Sequence, residues 1–130
     1  MVNLKLVENE PKYYEFIRNL RNDERVKSGF IQSSFITEEQ QIEYMTKHHN
    51  CFRICLDNDD PVGYVGVIDN DIRIATSPSY QKRGVGKFML QQIETVFPGA
   101  VAKIKIENEA SLKLFLSGGF KVKYYLLERE

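Results

Sequence analysis

A short stretch, Gln81–Lys87, combines glycines at 84 and 86 with cationic side chains, directly before an apolar helical pattern. Glycine lets the backbone approach a bound group closely, and the first N–H groups of a helix lack intrahelical partners. These N–H groups, with the positive end of the helix dipole, favour an anion. The cations of the stretch are Lys82, Arg83 and Lys87. The stretch therefore predicts an anion-binding turn, with a phosphate as its expected occupant.

A strand and a helix must position this turn. Asp71–Thr76 alternates apolar and polar residues, which predicts a strand, and the helix after the turn ends at Pro98-Gly99. Val101–Ile106 predicts the next strand. Because a helical crossover joins parallel strands, we expect the two strands to be parallel.

Two common phosphate-binding loops do not fit the turn. A P-loop requires Ser or Thr where Phe88 stands. A dinucleotide fingerprint requires glycine where Met89 stands. Taken alone, the stretch is equally compatible with a glycine-containing strand–helix turn that carries solvated lysines.

A second motif, in the same order and spacing, makes a family resemblance specific. Gln81-x-x-Gly84-x-Gly86 resembles the acyl-CoA pyrophosphate loop of the GCN5-related N-acetyltransferases. Asn108-x-x-Ser111, an apolar helix and Gly119-Phe120 resemble the family's next motif. The resemblance covers most of the chain from Pro61 onward. It implies an α/β fold: a mixed, largely antiparallel sheet with helices on both faces and one parallel strand–helix–strand crossover that forms the acyl-CoA slot.

The same resemblance implies an acyltransferase that uses acetyl-CoA. The backbone from Lys82 to Lys87 would hold the pyrophosphate, and the strand before the turn would pair with the pantetheine arm and polarise the thioester. Asn108 fits a helix N-cap as well as a ligand contact. The implied acetyl-CoA-binding residues are Ile74, Ala75, Thr76, Gln81, Lys82, Arg83, Gly84, Val85, Gly86, Lys87, Asn108 and Ser111.

The proton carriers are less well specified. Asp71 stands where relatives acting on small amines or amino sugars often carry a glutamate base, although it also suits the hairpin beside Asp69 and Asn70. Phe115 stands where members of the family often have a tyrosine that acts as the general acid. We expect Tyr124, Tyr125 or water to protonate the leaving thiolate.

Composition bounds the remaining expectations. The 130 residues predict a single domain over 1–130, and 18 basic against 18 acidic residues do not favour a nucleic-acid binder. We expect a cytoplasmic protein without membrane segment, signal peptide or metal site, in which Cys51 and Cys55 stay reduced.

The sequence leaves alternatives open for the acceptor and for the oligomeric state. A small amine or amino sugar is the first expectation for the acceptor, with a protein N-terminus or lysine as the second. A non-catalytic acyl-CoA sensor is the rival class. The segment Phe120–Glu128 predicts a final strand, apolar on both faces, in place of the family's usual closing hairpin, and hence a homodimer through that strand. Lys121 and Lys123 would instead protect the edge of a monomer.

Overall fold

Four antiparallel strands in chain order form the sheet of the computed structural model, which describes residues 2–31 and 34–130. The strands are β1 (Leu4–Glu8), β2 (Phe52–Asp57), β3 (Asp60–Ile68) and β4 (Asp71–Thr76). Asp69 and Asn70, with φ of 52° and 65°, make the tight β3–β4 hairpin that the sequence predicts. As a result β4 is the last strand of the ladder and has one free edge.

Residues 2–31 and 34–130 include five α-helices. They are α1 (Tyr14–Asn22), α2 (Glu24–Lys27), α3 (Glu38–His48), α4 (Val85–Val96) and α5 (Glu109–Ser117). A 3₁₀ turn at Pro11–Tyr13 leads into α1, since proline suits a first helical turn. Thr37 and Gln40 form the predicted capping box of α3 through reciprocal bonds of 3.1 and 2.9 Å.

The alternation of β4 gives the sheet two different faces. Asp71, Arg73 and Ala75 lie opposite Ile68, Gly66 and Tyr64 of β3. That face packs against α1 and α3 in one apolar cluster with Ile17, Met45 and Phe52 at its centre. Ile72 faces the other side, where α4 and α5 contribute Met89, Ile93 and Phe115 to a second cluster. Helices therefore cover both faces, as the predicted fold class requires.

The predicted parallel crossover is present but short. Ile72 N–H donates to the Val101 carbonyl and Val101 N–H donates to the Asn70 carbonyl, each at 2.8 Å. This single parallel pair, Asp71 with Val101, replaces the strand predicted over Val101–Ile106. Beyond it the two segments diverge. The side chains of Lys105 and Asn108 donate hydrogen bonds to the backbone carbonyls of Ser28 and Gly29, respectively. A ladder cannot extend once the N–H and carbonyl groups no longer meet.

The prediction of a final strand from Phe120 is wrong for the single chain. Phe120 packs edge-on against the Phe115 ring, with centroids 5.0 Å apart, and residues 121–130 are exposed and outside the sheet. A final strand needs a neighbour to pair with, and the segment Val101–Ile106, itself expected as a strand, forms only one bridge. Val122 and Leu127 accordingly remain 63% and 89% exposed.

Candidate active site

The predicted anion-binding turn forms an open helix N-terminus. Gly84, with φ of 82°, is the N-cap of α4, and no side chain of the described residues caps it. Phe88 N–H donates to the Gly84 carbonyl at 3.0 Å, so the N–H groups of Val85, Gly86 and Lys87 precede the first intrahelical bond. Gln81 to Gly84 are exposed. Such a turn can bind an anion, because its donors and the helix dipole point outward.

Glycine is favoured at the two positions of the turn for different structural reasons. At Gly84 a Cβ would meet nothing within 4 Å, and the positive φ alone favours glycine. At Gly86 a Cβ would lie 2.9 Å from Leu114 Cδ2. Gly86 therefore allows α4 and α5 to pack closely, which the motif alone did not reveal.

The free edge of β4 carries open backbone donors. Since Ile72 N–H points to Val101 across this edge, the N–H groups two and four residues later, at Ile74 and Thr76, point the same way. The single bridge ends before them, so the divergence leaves a slot along the edge. Of the predicted pantetheine contacts, Ile74 lines a cavity there, Thr76 is half-buried, and Ala75 is buried on the α1/α3 face, where only its backbone remains available.

A cavity of about 280 Å³ wraps around the same edge and includes side chains from both faces. Asp71 and Arg73 enter it from β4, Arg21 from α1 and Tyr44 from α3. Ser111 and Phe115 of α5 close it from the other face, and residues 29–31 form part of the wall. The cavity thus joins the strand edge to the α1/α3 side of the sheet.

Asp71 has one engaged and one unengaged carboxylate oxygen. Its Oδ2 lies 3.4 Å from Arg73 Nε, and its side chain is 19% exposed. Its Oδ1 is buried and has no hydrogen-bond partner in the described part of the chain. Buried acceptors in folded proteins are nearly always satisfied, so an unsatisfied one that lines a cavity indicates a missing donor.

Asn108 caps α5, as one of its two sequence interpretations predicts. Its Oδ1 accepts from Ser111 N–H at 3.1 Å, and its Nδ2 donates to the Gly29 carbonyl at 3.2 Å. Both ends of the amide are therefore used to join α5 to the segment after α2. The Ser111 side chain is the part of this motif that reaches the cavity.

The tyrosines predicted as acids lie elsewhere in this structure. Tyr124 and Tyr125 are 84% and 90% exposed on the terminal segment and do not line the cavity. Two other tyrosines, Tyr44 and Tyr64, do line it. Burial raises the pKa of both phenols, and the charges of Arg21 and Arg73 oppose that rise.

Sequence reasoning missed several of these cavity residues. Arg73 had one usable signal, since it lies two residues after Asp71 and so on the same face of the strand. No sequence signal identified Arg21 and Tyr44, because they lie on separate helices and belong to no catalytic or binding motif. Tyr64 lies inside an almost continuously buried strand and resembles any core tyrosine.

An open strand edge beside an uncapped helix N-terminus can hold an extended anionic ligand, and the adjoining cavity presents a carboxylate to a second one. A profile of the acetyltransferase (GNAT) family matches residues 14–120. The chain therefore belongs to the acetyltransferase (GNAT) family, which confirms the predicted family, fold class and enzyme class.

Solved structures similar to this one include acetyltransferases with bound CoA or acetyl-CoA. Spermidine N-acetyltransferase from Vibrio cholerae, in complex with CoA and spermine, has a TM-score of 0.82 at 20% identity, over 97% of this chain and 85% of that one. A putative acetyltransferase from Salmonella typhimurium with its cofactor acetyl-CoA has a TM-score of 0.77 at 15% identity, over 93% and 81%. AAC(6')-Iy in complex with a bisubstrate analogue has a TM-score of 0.69 at 15% identity, over 98% of both chains. At these identities the likeness shows the fold alone.

No curated protein matches the chain. Within residues 2–31 and 34–130, no helix is long and apolar enough to cross a membrane.

Proposed function

We propose that this protein is an acetyl-CoA-dependent N-acetyltransferase whose acceptor is a primary amine on a small molecule or amino sugar. The observation that carries the proposal is that Asp71, which lines the cavity at the open edge of β4, has a buried carboxylate oxygen, Oδ1, without a partner among the described residues. An amine N–H is a donor that fits this acceptor. The proposed catalytic role of Asp71 is that of a base, directly or through one water.

The acetyl donor, acetyl-CoA, fits the residues on the other side of the same edge of β4. The N–H groups at the start of α4 hold the pyrophosphate, and Lys82, Arg83 and Lys87 contribute positive charge. The pantetheine arm pairs with β4 past the Asp71–Val101 bridge, through the Ile74 and Thr76 N–H groups. One of these N–H groups donates to the thioester oxygen as negative charge develops on it.

The reaction is a direct transfer within a ternary complex. The amine nitrogen forms a bond to the acetyl carbonyl carbon, and the carbon–sulfur bond breaks. Asp71 takes a proton from the nitrogen, and the thiolate of CoA leaves with the sulfur electron pair. A proton from water completes the thiol, because Tyr124 and Tyr125 lie outside the cavity in the single chain. Water suffices because a thiol has a pKa of about 8.5, which makes its thiolate a good leaving group.

A non-catalytic acyl-CoA sensor is the second candidate function. It is favoured by one observation: Phe115 is a buried core residue with no proton to donate, and the tail tyrosines lie outside the cavity. Transfer to a protein N-terminus or lysine is a further alternative for the acceptor.

We also propose that the protein is a single cytoplasmic domain that forms a homodimer. The apolar side chains between residues 122 and 127 are exposed in the single chain, and pairing with a second copy would cover them. Such pairing would supply the strand neighbour that this segment lacks and would add a wall to the acceptor side.

The proposed function is tested by release of the CoA thiol from acetyl-CoA across a panel of primary amines, with mass spectrometry of the products. We expect amine-dependent thiol release and a product 42 Da heavier than its acceptor, about the mass of an added acetyl group less one hydrogen. Tight acetyl-CoA binding without thiol release for any amine would favour the sensor instead.

A further inference from the structure

We infer that the acceptor amine carries an anionic group, a carboxylate or a phosphate, which Arg21 and Arg73 bind while the amine meets Asp71. This inference rests on the proposed function and names the chemical class of its acceptor. It starts from the charges that line the cavity: three cationic side chains and a single carboxylate.

Arg21 presents a positive charge without an acidic partner. Its guanidinium lies 4.6 Å from the centre of the Tyr44 ring, and its one hydrogen bond, to Gln41 Oε1, is long at 3.5 Å. Among residues 2–31 and 34–130 it forms no salt bridge. Arg18, one turn earlier, contrasts with it, since Arg18 pairs with both Glu15 and Glu38. Stacking on an aromatic ring fixes the guanidinium plane and leaves its N–H groups available to a ligand.

Arg73 adds a second charge on the same side of the sheet. It uses only Nε toward Asp71, at 3.4 Å, and its side chain is 46% exposed. Its terminal nitrogens make no hydrogen bond within the described residues. Arg21, Arg73, Tyr44 and Tyr64 all line the same cavity, so the two cations share one site with these phenols.

The arrangement fits a molecule that carries both signs of charge. An ammonium can donate to the free Oδ1 of Asp71, and an anion on the same molecule can bind the planar N–H groups of the arginines. A polyamine would place additional positive charges against Arg21, Arg73 and Lys103. Like charges repel, and they repel several-fold more strongly at the effective dielectric of a protein surface than in water. The cavity charges therefore favour an anionic acceptor and disfavour a polyamine.

The test compares amines that differ only in an anion. Phosphoethanolamine is paired with ethanolamine, alanine with ethylamine, and glucosamine 6-phosphate with glucosamine, and spermidine serves as the cationic probe. We expect kcat/KM for thiol release to be about 10-fold or more higher for the anionic member of at least one pair, as expected for a charge-assisted hydrogen bond. The phosphate and carboxylate pairs distinguish the two sources of the anion. Equal or higher kcat/KM for every member that lacks the anion, or a preference for spermidine, overturns the inference.

Variants assign the preference to the arginines. Arg21→Gln and Arg73→Gln should each remove most of the preference, by raising KM for the amine that carries the anion more than KM for its partner that lacks it. Arg21→Lys should retain part of the preference. Arg25→Gln is the matched control, because Arg25 is an exposed arginine paired with Asp23 outside the cavity. A preference that survives both glutamine variants contradicts the assignment.

Calorimetry separates this inference from the proposed function. The same amine pairs are titrated into the protein saturated with CoA. Tighter binding of the anionic members without turnover in the kinetic assay would support the anion site and refute the transferase. Equal binding of both members, or no binding of either, would refute the anion site, whatever the turnover.

Discussion

The turn at 81–87 and the cavity beside β4 represent two kinds of binding site. The turn is local: consecutive residues supply its glycines, its cations and the open N–H groups of one helix. The cavity is assembled from α1, α3, β4 and α5, whose contributing residues span positions 21 to 115. The first kind of site can be identified in a sequence as a motif, whereas the second exists only once the chain has folded. In the proposed function the turn binds the acetyl donor, and the cavity binds the acceptor.

The largest expected effect separates the chemistry of the cavity from donor binding. Asp71→Asn removes the proposed base, so turnover should fall by about 10²-fold or more, the usual contribution of a general base, with acetyl-CoA affinity nearly unchanged. Steady-state kinetics and calorimetry on the same preparation measure both quantities. Asp69→Asn is the matched control, since Asp69 is an exposed carboxylate in the adjoining hairpin. Undiminished turnover in Asp71→Asn would leave Asp71 as a hairpin residue only.

The second prediction concerns the turn. Gly84→Val places a β-branched residue at a φ of 82° and should redirect the N–H groups at the start of α4. Losing two hydrogen bonds to phosphate, at about 1.5 kcal/mol each, weakens acetyl-CoA binding by about 10²-fold. Calorimetric titration with acetyl-CoA measures the loss.

Gly99→Val controls for backbone strain in that experiment. Gly99 has the same φ of 82° and likewise nothing within 4 Å of a Cβ, but it follows the other end of α4. It should keep the wild-type affinity for acetyl-CoA. Gly86→Val is less informative, because its Cβ would press on Leu114 and disturb the contact between α4 and α5. Similar losses in Gly84→Val and Gly99→Val would contradict the pyrophosphate assignment.

The third prediction asks whether a second chain completes the cavity side. Leu127→Asp should weaken the proposed dimer by about 10- to 100-fold, the equivalent of removing one buried leucine at ~1.5–3 kcal/mol. Light scattering over a range of micromolar concentrations measures the association. Ile106→Asp, another exposed apolar position at 97% exposure but outside this segment, should leave association unchanged. A wild-type chain that remains monomeric and acetylates at full rate would remove the dimer from the account.

The smallest expected effect is a pH dependence of stability, which comes from buried groups in the sheet that separates the turn from the cavity. Burial, with a smaller contribution from Asp57, raises the pKa of Cys55 to about 11, and burial also raises the pKa of Tyr64. These groups stay protonated in the folded state after the unfolded chain begins to lose their protons. The free energy of unfolding should therefore fall as pH rises from about 8.5 toward 11, by up to about 1.4 kcal/mol per pH unit for Cys55.

Urea denaturation of the wild type and Cys55→Ala at several pH values isolates the thiol. The destabilisation caused by Cys55→Ala should shrink as pH rises, because the variant has no thiol to keep protonated. Curves that stay parallel from pH 8 to about pH 10.5 would show that the Cys55 thiol does not titrate differently in the two states.

The comparison also explains which parts of the structure the sequence could predict. The α3 capping box, the Asp69-Asn70 hairpin and the N-terminus of α4 depend on residues a few positions apart, and all form as predicted. The strands expected over Val101–Ile106 and from Phe120 depend on pairing with distant backbone, which the alternation of apolar residues does not reveal. The same limit hid Arg21 and Tyr44, whose role arises from their packing beside Asp71 and Arg73.

The most direct measurement is an amide NMR titration with ADP and with acetyl-CoA on the same labelled protein. ADP contains the pyrophosphate but no pantetheine arm, so it should shift only the amides of residues 82–87. Acetyl-CoA should shift these amides and also those of Ile74 and Thr76 at the open edge of β4. Shifts in both regions with acetyl-CoA, and in the turn alone with ADP, would support a donor that extends from the turn to the cavity. Unchanged amides over 82–87 at saturating acetyl-CoA would contradict it.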